Sequence, residues 1–252
     1  PEGMLSDFYN LYSQNQDVRG WLSIDNTQIA YPVMQRTGDS SYYETHASDG
    51  TKSDVGALYF DEEAAFFTTQ SENRSLVVYG SNPRDGRMLS DLLGYMDAAF
   101  VKEHRTIHMN TLYERADWDV FGVMVVDGNP ASEDYFDYTM SRFGGDAFQT
   151  FVTEIRKRSL FTIDVDVTPE DRLLLVSTDA SKEAGFKGAR LVVAARKLPD
   201  VVTAVTQDAA LGTQTNDKEA DDSTASVVRN TQALLPARWM EETPVTTKST
   251  SR

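Results

Sequence analysis

The chain contains the segment Leu173-Leu-Leu-Val-Ser-Thr-Asp179, which is followed by Arg190-Leu-Val-Val-Ala-Ala-Arg196. Both are short apolar runs rich in Leu and Val, with charged residues at their ends. Runs of this length and composition are typical of buried strands. We therefore predict core strands over residues 173–177 and 191–195.

Similar runs precede these two. The run Ser75-Leu-Val-Val-Tyr79 predicts a buried strand that stops at Gly80. Apolar residues at helical spacing predict three helices, over residues 2–17, 88–100 and 147–160. About eight short strands with few helices indicate a mostly β fold, either a barrel or a sandwich. The remaining predicted strands cover residues 21–24, 29–34, 57–60, 106–112 and 118–126.

The composition divides the chain into three parts. We expect a helical segment over residues 1–19, the β domain over 20–198, and a disordered tail rich in Thr, Ser and Asp over 199–252. Leu234, Leu235, Trp239 and Met240 form one apolar island in that tail. The island is either accidental or a short docking segment.

Charge and cysteine content exclude several functions. The net charge of −15 argues against nucleic acid and against an anionic membrane surface, and it favours basic partners. The chain has no cysteine, so disulfides, thiolate metal sites and a cysteine nucleophile are excluded. We find no sign of a cofactor site. No apolar run is long enough to span a membrane, and we expect any membrane attachment to come from an N-terminal anchor outside this sequence.

Further motifs occur in a fixed order around the predicted strands. The early ones are Gly20-Trp21, Tyr31-Pro-Val-Met-Gln35, Tyr42-Tyr-Glu-Thr-His46, Asp49-Gly50 and Gly56-Ala-Leu-Tyr-Phe-Asp61, and the later ones are Val77-Val-Tyr-Gly-Ser-Asn82, Asp85-Gly-Arg-Met88 and the two segments quoted first. In this order they resemble the class B sortase family. The resemblance spans residues 2–198. It implies an eight-stranded sortase-type β-barrel, an N-terminal helix packed on that barrel, and a class B helix between the last strands.

Two positions depart from the family pattern. Where the resemblance places the catalytic histidine, this chain has Ser81, and where it places the nucleophilic cysteine, the chain has Asp179. The arginine that opens the last strand is kept as Arg190. Sortases cleave a sorting signal through a thioacyl intermediate, which requires a thiolate nucleophile and an acid for the leaving amine. We therefore predict that the chain is inactive as a cysteine transpeptidase.

The former active site has two possible new roles. If the barrel forms as in the family, Asp179 and Arg190 face each other on adjacent strands, and we expect them to form an ion pair. Alternatively, Arg190 binds a ligand. The residues that we expect to bind peptide are Asn82, Ser177, Thr178, Arg190, Tyr135 and Tyr138.

The histidines and acidic residues have simpler interpretations. His46, His104 and His108 are interpreted as ordinary surface or core residues, because a helix-to-strand boundary between the last two would separate them as metal ligands. The cluster of Asp164, Asp166, Glu170 and Asp171 is interpreted as a solvated connection rather than a calcium site. Trp21, Tyr31 and Tyr79 are expected in the barrel core.

Three functions remain open. The first is a pseudoenzyme that binds a sorting-signal-type peptide or a cell-wall amine without turnover. The second is a structural or regulatory partner of an active sortase or of another surface protein, acting through the tail. The third is altered hydrolase or transpeptidase chemistry at Asp179. The resemblance implies the surface of a Gram-positive-type bacterium.

Overall fold

A computed structural model describes residues 2–62, 64–65, 73–144, 146–199, 226–237 and 239. The eight strands of a barrel are β1 (Val18–Ser23), β2 (Ala30–Met34), β3 (Leu58–Phe60), β4 (Ser75–Tyr79), β5 (Thr106–Thr111), β6 (Asp117–Asp127), β8 (Leu173–Asp179) and β9 (Ala189–Lys197). They close in the order β1-β2-β3-β4-β8-β9-β6-β5. The pairs β2·β3 and β4·β8 are parallel, and the other neighbours are antiparallel. The predicted mostly β, eight-stranded barrel is confirmed.

Two further strands form a separate small sheet. Strand β7 (Phe161–Ile163) pairs antiparallel with β10 (Val227–Arg229). The prediction of a disordered tail over residues 199–252 is wrong for β10, because the strand bonds and packs against the domain that precedes it. The other parts of that prediction, at residues 200–225, 238 and 240–252, lie outside the described residues, and so does Met240 of the apolar island.

The helices are shorter than predicted. Helix α1 (Tyr9–Gln14) follows a 3-10 turn at Ser6–Phe8, so the N-terminal helix does not fill residues 2–17. It ends at Asn15, whose backbone is extended and whose side-chain amide donates to the Tyr43 hydroxyl and the Ser48 carbonyl. The barrel then begins at Val18, inside the segment expected to be helical.

The predicted helix over 88–100 is divided into a 3-10 helix, Ser90–Met96, and helix α2, Ala98–Glu103. Asp97 separates them because its carboxylate accepts from the Ala99 and Phe100 amides as an N-cap. Helix α3 (Ala147–Arg158) lies between β6 and β7, where the class B helix was expected. A short helix, α4 (Ser181–Ala184), joins β8 to β9.

The core is one large apolar cluster inside the barrel and between the barrel and α3. Strand β8 is buried from Leu173 through Thr178, and β9 from Leu191 through Ala195, as expected for strands covered on both faces. A smaller cluster lies outside the barrel, where Phe8 and other N-terminal apolar residues pack against Tyr43 and Met34. Trp21, expected in the barrel core, is partly buried in this smaller cluster. Tyr31 packs at the edge of the main cluster, and its hydroxyl accepts from the Met88 amide.

His108 lies on β5 between two carboxylates. Its Nδ1 is 2.7 Å from Asp117 Oδ1, and its Nε2 is 3.4 Å from Asp25 Oδ2. Burial by itself would lower the pKa of His108, but the hydrogen bonds and charges of Asp117 and Asp25 outweigh it and raise the pKa above the ordinary value. His104 instead ends α2, and its ring stacks on Phe100 with Nδ1 near the Phe100 carbonyl. The boundary between helix and strand therefore does separate these histidines.

We predict that His108 makes folding stability dependent on pH. A pKa raised by folding stabilises the protein fully below the unfolded value of about 6.5, and this contribution is lost as the pH rises through the folded value. His108→Gln should therefore reduce the free energy of unfolding at pH 5 but not at pH 9, by less than about 1 kcal/mol because the pair is partly solvated. Urea unfolding at the two pH values measures this. Asp117→Asn is the matched variant, and an equal loss at both pH values would contradict the assignment.

Candidate functional site

The strand pairing brings Ser81, Asp179 and Arg190 to one end of the barrel. Because β4 and β8 are parallel and Tyr79 is opposite Ser177, both strands end at the same edge. Ser81 follows β4 there, and Asp179 is the last residue of β8. Strand β9 starts at that edge, and Arg190 is the antiparallel partner of Asp179, as expected for these two residues on adjacent strands.

Arg190 is held by a hydroxyl rather than by a carboxylate. Its Nε and Nη2 donate to Ser177 Oγ at 3.1 and 3.0 Å. The same oxygen is 3.0 Å from the Tyr138 hydroxyl. The guanidinium carbon also lies 5.8 Å from the centre of the Tyr79 ring. Ser177 is fully buried, so its hydroxyl fixes the cation from inside the barrel end.

The expected ion pair between Asp179 and Arg190 is not formed. Among the ion pairs of the described residues, none joins these two side chains. The Asp179 carboxylate instead accepts from the Ser181 hydroxyl at 2.7 Å and the Ser181 amide at 3.2 Å. A short aspartate reaches a partner two residues away with little loss of side-chain entropy. The ion-pair hypothesis is therefore wrong, although the two residues are register partners.

Several predicted site residues hold the surrounding backbone. The Ser81 hydroxyl donates to the Val55 carbonyl at 2.6 Å, and the side-chain amide of Asn82 donates to the Asp179 carbonyl at 2.7 Å. Thr178 points to the other side of β8 from Ser177, and its hydroxyl donates to the Gly80 carbonyl at 2.8 Å. Thr178 is fully buried, so it supports the edge of the site and offers no surface.

Two cavities flank Arg190. The larger, about 470 Å³, is bounded by the segment around Ser40 and by β3, β4 and the loop after β6. The smaller, about 280 Å³, lies over Ser81, Asn82 and Asp179. Both share a set of four lining residues: Glu44, Tyr59, Tyr79 and Arg190. Together the cavities form one groove, with Arg190 at its centre.

Of the two tyrosines that we expect to bind peptide, Tyr138 lines the groove and Tyr135 does not. Tyr138 is buried, lines the larger cavity and bonds to Ser177. Tyr135 is half-buried and lines neither cavity, because it lies earlier in the loop beside Asp127. Phe136 turns away from the groove and stacks on Phe151 of α3, with 5.6 Å between the ring centres.

Sequence reasoning missed two tyrosines that line the groove. Tyr59 donates to Glu44 and Tyr79 donates to Asp61, each at 3.0 Å. Burial, reinforced by these carboxylates, raises the pKa of both hydroxyls far above the ordinary range, so both remain neutral donors. Tyr79 was expected in the core. The available signal was that Tyr59 and Tyr79 come from predicted neighbouring strands, and they are indeed register partners.

The groove contains a guanidinium, hydroxyl donors and carboxylates, and the chain has no thiol. None of the three histidines, all of which are described, lines either cavity, and His46 stacks on Tyr42 instead. Within the described ranges, no group of three or more His, Asp or Glu side chains is placed to hold a metal ion.

Comparison with known proteins shows which proteins the chain is similar to in sequence and in fold. No family model matches the chain. The chain is similar to sortase B of Listeria monocytogenes, with 27% identity over 185 residues that cover 73% of this chain and 71% of that protein. It also resembles the crystal structure of sortase B from Bacillus anthracis in complex with AAEK1, with 28% identity, a TM-score of 0.65, and coverage of 77% of this chain and 85% of that one.

A third match is the Staphylococcus aureus sortase B–substrate complex, with 25% identity, a TM-score of 0.67, and coverage of 79% of this chain and 88% of that one. The chain is therefore similar to class B sortases in sequence and in fold. Where the sequence resemblance places the catalytic histidine and cysteine, this chain has Ser81 and Asp179.

We predict that Ser177 is the polar residue that stabilises the groove end. Ser177→Ala would leave the Arg190 donors without their buried acceptor and the Tyr138 hydroxyl without this partner, and should lower the free energy of unfolding by about 1–3 kcal/mol. Ser75→Ala is the matched control, because the Ser75 hydroxyl is equally buried on the neighbouring strand and has no partner among the described residues.

The control should change stability by about 0.5 kcal/mol or less, since it removes an unsatisfied hydroxyl. Chemical denaturation of both variants measures the difference. Equal losses in the two variants would show that the contact with Arg190 contributes nothing beyond the volume of the side chain.

Proposed function

We propose that this class B sortase-like protein binds a sorting-signal-type peptide at the cell surface without cleaving it. The observation that carries the proposal is the intact groove around Arg190 beside residues that cannot perform thiol chemistry. A peptide carbonyl is a suitable acceptor for a guanidinium, and charge-assisted hydrogen bonds of this kind are stronger than neutral ones. The related S. aureus structure is a sortase B–substrate complex, which supports a peptide-like ligand here.

The absence of turnover follows from the residues at the groove. Acyl transfer requires a nucleophile that can also leave, together with an acid that protonates the departing amine. Asp179 already accepts two hydrogen bonds from Ser181, and Ser81 donates to Val55. A serine hydroxyl is too weak an acid to protonate a leaving amine near neutral pH, and an aspartate attacking an amide would form an anhydride. We therefore assign Arg190 to ligand binding rather than to the stabilisation of an oxyanion.

The surface location is also a proposal. The matched sortases of Listeria and Staphylococcus come from Gram-positive bacteria, which favours a cell-surface role. Among the described helices, none is both long and apolar enough to span a bilayer. A cell-wall amine remains a second possible ligand of the same groove.

The alternative of a partner protein that acts through a free tail is less well supported. Leu235 and Trp239, from the apolar island, pack against the main core of this same chain. Those side chains are therefore engaged by the domain itself, and among the three island residues that the structure describes only Leu234 is largely exposed.

We predict that restoring the two family residues creates cleavage. The double variant Ser81→His, Asp179→Cys should cleave at least one of a panel of sorting-signal peptides, whereas the unmodified protein should cleave none. Chromatography and mass spectrometry of the products measure this. Each single variant is a control, because a nucleophile without its acid should give only residual rates. Cleavage by the unmodified protein would refute the proposal.

We also predict that Arg190 carries peptide affinity. Arg190→Ala should weaken binding of fluorescein-labelled sorting-signal peptides about 10- to 100-fold, as expected when a charged hydrogen-bond donor is lost. Fluorescence polarisation measures the affinity. Arg196→Ala is the matched control, because Arg196 lies on the same strand but lines a different cavity. Equal affinity in wild type and Arg190→Ala would remove Arg190 from the ligand site.

A further inference from the structure

The C-terminal strap, defined as residues 226–237 with Trp239, is bound along the end of α3. The Leu234 amide donates to the Lys157 carbonyl at 2.8 Å, and the Asn230 amide donates to the Leu160 carbonyl at 2.8 Å. The Asn230 side chain donates to the Ser159 carbonyl at 2.9 Å. The last carbonyls of a helix have no partner within the helix. The strap therefore satisfies groups that α3 and the residues after it leave open.

The strap then reaches the groove loop, defined as residues 128–144. Pro236 is buried, and the following amide, of Ala237, donates to Asp134 Oδ2 at 2.9 Å. A cavity of about 190 Å³ lies between strap and loop, and both Leu235 and Asp134 line it. The contact to Asp134 is thus a discrete polar link beside a small gap, rather than part of a continuous packed interface.

The groove loop forms one wall of the site. Gly128 and Tyr138 line the larger cavity. Tyr138 meets the hydroxyl of Ser177 that holds Arg190. Asp134 precedes Tyr138 by four residues in the same loop. Hydrogen bonds connect the strap to Asp134 and Tyr138 to Ser177 and Arg190, and the backbone between Asp134 and Tyr138 joins the two sets.

We propose that the C-terminal strap positions the groove wall, and that Asp134 is the positioning residue that connects them through the Ala237 amide. Asp134 lines neither groove cavity, so its effect on ligand affinity is indirect. The effect on affinity rests on the proposed peptide-binding function, whereas the effect on the loop does not.

Hydrogen–deuterium exchange of the full chain tests the link without a ligand. The reporters are the loop amides of Ser132 and Tyr135, which bond to the Asn129 and Ser132 carbonyls. Asp134→Ala should accelerate their exchange about three- to tenfold. Asp134→Asn keeps an acceptor oxygen and should exchange as wild type does. Glu133→Ala, which removes the adjacent exposed carboxylate, should also match wild type.

A second variant approaches the same bond from the strap. Ala237→Pro removes the donor amide, and combining it with Asp134→Ala should give no further acceleration, because both changes break one hydrogen bond. Unchanged loop exchange in Asp134→Ala would overturn the proposal. Acceleration that extends through β8 and β9, or Asp134→Asn exchanging as fast as Asp134→Ala, would overturn it as well.

Peptide affinity separates this inference from the proposed function. Asp134→Ala should weaken binding of the labelled sorting-signal peptides at least about threefold, whereas Asp134→Asn should bind them as tightly as wild type does. If wild type binds no peptide, the proposed function fails, and loop exchange alone then decides the role of the strap. If wild type binds but Asp134→Ala binds equally well despite faster loop exchange, the positioning role of Asp134 is refuted.

Discussion

The pairing of β8 with both of its neighbours is the constraint on which the site depends. Strand β8 runs parallel to β4 and antiparallel to β9, so the end of β4, the end of β8 and the start of β9 meet at one edge of the barrel. A shift of one residue in the register would turn Ser177 away from Arg190, because strand side chains alternate between faces. The buried apolar faces of β8 and β9 oppose such a shift.

At that edge, Arg190 bonds to a neutral hydroxyl, although charge complementarity alone would suggest a carboxylate as its partner. Ser177 accepts from the guanidinium and also contacts Tyr138. A hydroxyl orients the guanidinium without neutralising it. Asp179 therefore does not neutralise Arg190, and under the proposed function this charge is available to a ligand in the groove.

The groove is also supported from outside the barrel. The end of α3 leaves carbonyl groups that need donors, and the strap supplies them. Further along the strap, the Ala237 amide donates to Asp134 in the loop that carries Tyr138. The strap therefore bonds both to the end of α3 and to the loop that forms one wall of the site.

The barrel was predictable because its signals are local. Apolar runs such as residues 75–79 and 173–177 form buried strands whichever strands they pair with. The order of the motifs around them indicated the resemblance to class B sortases. The limits of the helices were less predictable, since Asp97 and Asn15 end helical segments through bonds that periodicity does not show. Strand β10 was missed because a stretch of three residues has no detectable period, and its place depends on pairing with β7 and on the burial of Val227 in the core.

The sequence by itself determined that the chain has no thiol. It also determined that Ser81, Asp179 and Arg190 stand where the resemblance to class B sortases places a histidine, a cysteine and an arginine. The tertiary structure alone decided how those side chains are used. Asp179 and Arg190 are paired in register, yet each bonds to a nearer hydroxyl, Ser181 or Ser177. Residue types show which hydrogen bonds are possible, but competition among partners is settled by distance and burial, and these exist only in the folded chain.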